Sequence, residues 1–338
     1  MYQRSARGGR WLEILLFTAS SLILYHTGVG LILFLAPLQV VGVRRGLRGL
    51  ALSACAFMLV FLAIRFVPMV FSSRAARPDI LVYAEIGIVA LLLLGLIVMN
   101  LPLARLPRRL YLLLGGAALT GIVAVPLGLL VASTPGFRES MANLFVDVSK
   151  ALSGIFAPAD GVGGSVLSGF LEPSRLEKIA EEYILRSFLV DYVVLLSFSW
   201  WVGQAAATRT AVFLGARPRF RFAEFRLESW WLWPLIVSGA LVLADLFFGI
   251  GAWAYVAWNV GLVLLFLYGL QGLAIIRFIF EKHGVPRFLW LLLIVGLAML
   301  SASPRAGLFV ILAVPAFGVS ENWIRYRVPR DAEPTEEE

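Results

Sequence analysis

Long apolar runs alternate with short arginine clusters from one end of the chain to the other. The runs lie near 11–25, 28–42, 47–71, 80–101, 110–132, 185–207, 230–248, 252–276, 288–302 and 306–320, and consist mostly of Leu, Ile, Val, Ala, Phe and Gly. A helix that crosses a bilayer needs about 20 apolar residues. Several runs reach that length; the shorter ones tilt, turn back on themselves or sit inside a bundle. The pattern predicts an all-α, polytopic transmembrane helix bundle of about ten spans, or eight to nine if 28–42 and 306–320 turn back before crossing.

Composition agrees with the pattern. The chain is 60% hydrophobic and 15% charged, with a mean hydropathy of +0.87, against roughly 25% charged residues in soluble domains. A formal charge of +8 raises nucleic acid as a partner, but the cations sit in the gaps between apolar runs, where loop charges set membrane orientation. Nucleic acid is therefore excluded. With the N-terminus in the cytoplasm, 20 of the 29 basic residues fall on the cytoplasmic side, and both termini come out cytoplasmic in a bacterial inner membrane. The first run follows Arg4, Arg7 and Arg10 as a signal peptide would. No small-residue cleavage site follows it, so it reads as an uncleaved helix.

Segment 133–184 is the one sizeable stretch outside the membrane pattern. It separates an N-terminal membrane bundle (1–132) from a C-terminal one (185–325), and 326–338 reads as a disordered acidic tail. Between Met141 and Phe156, the residues Leu144, Val148, Ala151, Leu152, Ile155 and Phe156 recur at helical spacing. They predict an amphipathic helix lying on the membrane or over a cavity, either a plain connector or a lid. The Gly-, Pro- and Ser-rich stretch 158–169 predicts a loop. Ser174 and Glu177 then fit a capping box that starts the helix leading into the sixth span.

Charged groups inside hydrocarbon are costly and are functional candidates by default. Arg65, Glu85, Asp191 and Asp245 all fall in the outer half of the predicted spans. They form a candidate substrate-binding set in which Arg65 pairs with a carboxylate. The competing interpretation leaves Glu85 and Asp191 hydrated at the interface while Arg65 snorkels. Asn259 and Gln271, on the long eighth run, are candidates for polar contacts between helices, together with Asp245. Arg217, Arg219 and Arg221 alternate with aromatic residues in a cytoplasmic loop and are candidates for docking anionic lipid or a partner protein. The tryptophans near run ends read as interfacial anchors. A single cysteine (Cys55) and two histidines (His26, His283) offer no metal-ligand spacing, and no HExxH, GxSxG or Walker A pattern is present. No cofactor is expected, and no nucleophile–base spacing points to an enzyme.

Two resemblances add to this. The order Arg226-Leu227-Glu228-Ser229-Trp230, Ala257-Trp258-Asn259, Tyr268-Gly269-Leu270-Gln271-Gly272-Leu273-Ala274 and a closing Gly318–Arg327 segment resembles the YybS-like family of predicted bacterial multi-pass membrane proteins, whose function is not established. That family's closing motif usually holds an Asp and a Phe-Arg pair. Ser320–Arg327 departs from it, so no role for that Asp carries over. In the N-terminal part, Leu35-Ala36-Pro37-Leu38 and Gly42-Val43-Arg44-Arg45-Gly46-Leu47-Arg48-Gly49-Leu50 look like the S components of energy-coupling-factor vitamin transporters. There a Pro ends one helix and a Gly-rich basic turn leads into the next. This resemblance implies a small-molecule (vitamin-like) substrate-binding transport component that relies on an ATPase or other membrane subunits. The alternative is a non-transporting scaffold or regulatory protein that docks partners through its basic loops.

Overall fold

The computed structural model describes residues 2–28, 30–71, 80–101, 106–134, 136–155, 171–213, 222–301 and 303–327. Among them there are ten α-helices and no strand: α1 (Tyr2–His26), α2 (Leu35–Phe71), α3 (Ile80–Met99), α4 (Leu106–Ala132), α5 (Phe137–Ile155), α6 (Pro173–Phe213), α7 (Leu232–Phe248), α8 (Ala252–Lys282), α9 (Arg287–Ser301) and α10 (Pro304–Ser320). Two 3-10 turns, Phe222–Glu224 and Ser229–Trp231, precede α7. Helices α2, α3, α6, α7 and α8 are long and apolar enough to cross a membrane, while α1, α4, α9 and α10 carry shorter apolar stretches.

Each of the ten apolar runs contributes to a helix, although residues 30–34 of the second run form turns ahead of α2, and two runs share one element. Runs 28–42 and 47–71 are the arms of α2, divided at Gly46, whose backbone stands at φ 73°, ψ −172°. That region is essentially reserved for glycine. The chain reverses there. A Cβ placed on Gly42 would lie 3.4 Å from Leu50 Cβ, whereas residues eight apart in an unbroken helix are separated by about 12 Å. The basic, glycine-containing turn expected at 42–50 is thus a hairpin tip. Pro37 lies in the first turn of α2 rather than ending a helix, where its fixed φ and missing N–H are tolerated.

The chain divides into two compact units, Met1–Ala216 and Arg217–Glu338. The expected division into halves flanking 133–184 is not the one that packing makes. The amphipathic segment does form a helix, α5, but it packs against α6, α3 and α4, and Ser149 Oγ donates to the Leu171 carbonyl at 2.6 Å. Both α5 and α6 therefore belong with the first four helices. Leu144 and Val148, two of the residues read as its apolar face, remain exposed. Helix α6 begins at Pro173, and the Arg175 and Leu176 N–H groups donate to the Glu172 carbonyl. Ser174 thus sits inside the first turn and not at the cap, because proline favours that first position. At 41 residues, α6 is about 60 Å long, twice the roughly 30 Å hydrocarbon layer. Its first turns, with Arg175, Glu177, Lys178, Glu181 and Glu182, are the part that polarity places outside that layer.

In the first unit, α1 lies antiparallel to the first arm of α2, and the second arm returns beside it. Phe34, Leu35, Leu38, Val41, Leu50, Phe57 and Phe61 are fully buried in this three-segment core. Ser21 Oγ donates to the Phe34 carbonyl. Helix α6 closes the unit: Ser199 Oγ donates to the Ile32 carbonyl at 2.7 Å, and Tyr192 Oη reaches the Leu91 carbonyl at 3.3 Å. Gln39, fully buried, and Asn100 exchange two amide hydrogen bonds of 3.0 and 2.7 Å, joining α2 to the end of α3.

In the second unit α8 is central. Its buried positions Leu264, Leu267, Tyr268, Gln271, Ala274 and Ile275 recur at three- and four-residue spacing, which is one helical face. Helix α10 crosses that face so closely that a Cβ on Gly272 would overlap the Val314 carbonyl, and one on Gly318 the Tyr268 carbonyl. Helices α7 and α9 turn large side chains outward. Trp233, Phe247, Phe248 and Met299 are each at least two-thirds exposed, an apolar surface that only lipid or another protein covers favourably.

Candidate functional site

Three polar clusters interrupt the apolar packing. The first lies where the second arm of α2 meets α3 and the end of α1. Arg65 Nη2 donates to Glu85 Oε1 in an ion pair, and Tyr25 Oη donates to the same oxygen at 2.7 Å. The Arg65 guanidinium stands 5.6 Å from the centroid of Phe61, within the range of cation–π attraction. Tyr25 itself is packed edge-on against Phe34, Phe57 and Phe61. Phe66, next to Arg65, and Tyr83, two residues before Glu85, bridge the same two helices with ring centroids 6.3 Å apart. The pair is only partly covered: the Arg65 and Glu85 side chains are 34% and 27% exposed. Nor are its bonds used up. Among the described residues Arg65 Nε is buried with no hydrogen-bond partner.

The other two sequence candidates each have partners within their own unit. Asp191 is held within α6, accepting from Ser187 Oγ at 2.9 Å and Tyr183 Oη at 3.3 Å. Asp245 belongs to the second unit, where Trp258 Nε1 donates to it at 3.1 Å. Arg65 does pair with a carboxylate rather than snorkel away, because Glu85 faces it from the adjacent helix.

The second cluster is at the α2 hairpin tip. Glu13 of α1 accepts from Arg44 Nη1 at 3.0 Å and from Arg45 Nε at 2.8 Å. Arg44 also lies 5.6 Å from the Phe17 ring. The sequence places Glu13 near an interface but does not announce this clamp. The signal available was a lone acid on α1 at the level of a double arginine on the next run.

The third cluster is in the second unit, and Gln271 is its centre. Its Oε1 accepts from the Leu227 N–H at 2.8 Å, while its Nε2 donates to the Gly318 carbonyl at 3.0 Å and to Glu321 Oε2 at 2.9 Å. Arg327 completes it, donating to Glu321 Oε2 at 3.1 Å and to the Ala223 carbonyl at 2.9 Å. The Glu321 side chain is 3% exposed and that of Arg327 13%. Burial pushes the Arg327 guanidinium below the ordinary arginine range, Glu321 pulls it back, and Arg226 adds to the lowering. Glu321 and Arg327 were quoted in the sequence only as part of a departing motif, and nothing in their spacing points to Gln271, about 50 residues earlier, because a tertiary contact makes the link. Asn259, also buried, donates to the Tyr255 carbonyl of its own helix at 2.8 Å. Arg217, Arg219 and Arg221 lie outside the described residues, as does the acidic tail. His26 Nδ1 lies 2.9 Å from the Leu22 carbonyl, and no group of three metal-binding side chains occurs among the described residues.

The fold and these clusters can be set beside known proteins. Residues 182–314 match a family described as Predicted membrane protein (DUF2232). The match runs from the first half of α6 into α10 and includes Gln271 and Gly272. No curated protein matches the chain, and no solved structure does. Helix content, apolar length and this match agree: the protein is a membrane-embedded, all-α helix bundle, similar over residues 182–314 to an uncharacterised membrane family.

Proposed function

We propose that this protein binds a small molecule inside its first helix unit and serves as the substrate-binding component of a bacterial inner-membrane transport system. The observation that carries the reading is the Arg65–Glu85 pair. It is an ion pair set among apolar helices, partly open, with donor groups to spare, and braced by Tyr25 and an aromatic cluster. An arginine in a spanning segment costs on the order of 2.5–3.5 kcal/mol at the helix centre and less toward the ends, and Arg65 stands two residues before the end of its apolar span. A half-exposed ion pair returns less than about 1 kcal/mol to stability. Packing alone gives little reason for it; a bound solute does.

Energy for transport comes from another subunit in this reading, since the sequence has no phosphate-cradling loop. The likeness of 35–50 to S components of energy-coupling-factor transporters supports the same division of labour. In this reading an ATPase partner docks on basic loops: the hairpin tip, where Arg48 is exposed, and the cytoplasmic loop expected from the sequence to hold Arg217, Arg219 and Arg221.

Native mass spectrometry of the gently solubilised protein tests the reading. The expected result is a copurifying small molecule that is lost in Glu85→Gln while the protein still inserts and folds. A solute retained in that variant moves binding away from this pair. A copurifying protein without any solute, released by neutralising Arg217, Arg219 and Arg221, replaces the transport reading with a scaffold.

A further inference from the structure

Resting on that solute-binding reading, the geometry points to a chemical class of ligand: a small zwitterion, with net charge zero, carrying one cationic nitrogen and one carboxylate or phosphate. Three observations converge on it. First, Arg65 Nη2 donates to Glu85 and the guanidinium also lies against the Tyr25 hydroxyl, while Nε is buried without a hydrogen-bond partner among the described residues. A guanidinium edge with Nε free matches a carboxylate or phosphate in two parallel hydrogen bonds. Second, Glu85 collects both its bonds, from Tyr25 and Arg65, on Oε1. Its Oε2 is left as an acceptor for a cationic nitrogen. Third, the pair is electrically neutral and lies in an apolar surround of Tyr25, Phe34, Phe57 and Phe61.

The third point decides between classes. A lone anion on Arg65 would leave Glu85 competing for one guanidinium, and the site would carry net negative charge in a low-dielectric setting. A lone cation on Glu85 would leave the site net positive. Either excess is costly where water is scarce. A zwitterion brings both charges at once and keeps the balance. The binding step makes and breaks only hydrogen bonds and ion pairs.

Free amino acids and zwitterionic lipid headgroups share this chemistry. The test therefore uses the full chain in nanodiscs of phosphatidylglycerol, with and without phosphatidylethanolamine. L-alanine, L-leucine and L-phenylalanine are titrated calorimetrically, each beside its deaminated (carboxylate-only) and decarboxylated (amine-only) counterpart. At least one amino acid is expected to bind tenfold or more tightly than both of its counterparts. Phosphatidylethanolamine that competes it out identifies the headgroup as the source; indifference to that lipid identifies the free solute. Two variants supply a crossover that misfolding cannot imitate. Glu85→Gln leaves Arg65 uncompensated, so the carboxylate-only counterpart now binds more tightly than the parent. Arg65→Gln does the reverse and favours the amine-only counterpart. A carboxylate-only compound that binds the wild type as tightly as its parent overturns the class while solute binding stands. Absence of binding by every probe in both disc types, with no crossover in either variant, overturns this site altogether.

Discussion

The two units each bury a carboxylate–arginine pair, and they treat it in opposite ways. In the second unit the Glu321 and Arg327 side chains are almost completely covered: Gln271 donates to Glu321 Oε2, Arg327 donates to Glu321 Oε2 and to the Ala223 carbonyl, and Arg327 Nε lies 3.0 Å from Glu321 Oε1 outside hydrogen-bond geometry. In the first unit Arg65 and Glu85 are a third and a quarter exposed, and part of their hydrogen-bonding capacity has no taker among the described residues. A buried pair must be fully satisfied or it destabilises the fold. The Glu321 network meets most of that demand and ties the turn before α7 to the end of α10. The Arg65 pair does not need to meet it, because it is partly open, and what it leaves unused is what a ligand can take. Exposure therefore separates the two pairs more clearly than charge does, or than an orphaned guanidinium Nε, which Arg65 and Arg327 share.

Variants can break this contrast. The largest effect is expected for Arg327→Met, which strands Glu321 as an uncompensated buried charge. Stability should fall by about 3–5 kcal/mol, read as a large drop in the thermal unfolding midpoint of the purified protein in detergent. A midpoint close to wild type means that Glu321 is neutral or hydrated, and the contrast collapses.

Next comes Gln271→Leu. It leaves the buried Leu227 N–H without its partner, at a cost of about 1–3 kcal/mol, while the Gly318 carbonyl keeps the Glu321 N–H. Hydrogen exchange at Leu227 should speed up more than exchange in the middle of α8. Equal acceleration at both would mean that the whole unit loosens and that Gln271 holds no particular strand of the chain in place.

Gly46→Ala follows. Open space surrounds a Cβ at that position, so the substitution isolates backbone strain at a glycine-only conformation, about 1–3 kcal/mol. Unchanged unfolding in this variant would show that the hairpin tip relaxes freely.

The smallest effect on stability belongs to the open pair. Arg65→Gln combined with Glu85→Gln should cost less than about 1 kcal/mol while abolishing binding of any copurifying solute. A stability loss as large as that of Arg327→Met would make this pair structural after all.

Much of the fold was legible beforehand because hydrocarbon leaves few options. Backbone groups in a bilayer must be satisfied within the helix, so apolar runs become helices, and each of the ten contributes to one. The hairpin at Gly46 was half visible: a glycine between arginines marked a turn, but not that two runs would be counted in one reversing element. The partition of the chain was not visible. Segment 133–184 reads as a divider because it is polar, yet α5 and α6 are packed onto α3 and α4.

The site was legible to a similar degree. Arg65 and Glu85 stood out as charges where charges are expensive, and Gln271 as polar glue. Which carboxylate Arg65 would choose was a question of helix adjacency. Asp191 settled on hydroxyls of its own helix, and Asp245 on a tryptophan of the next one.

What the sequence determined by itself is the solvent of the fold and the class of its elements, since length and hydropathy act locally and lipid enforces them along every turn. Only the tertiary structure decided which charges meet, which are saturated and which keep bonds in reserve. Those outcomes depend on residues 20 to 100 positions apart being brought within 3 Å by packing, a distance that no pattern along the chain encodes.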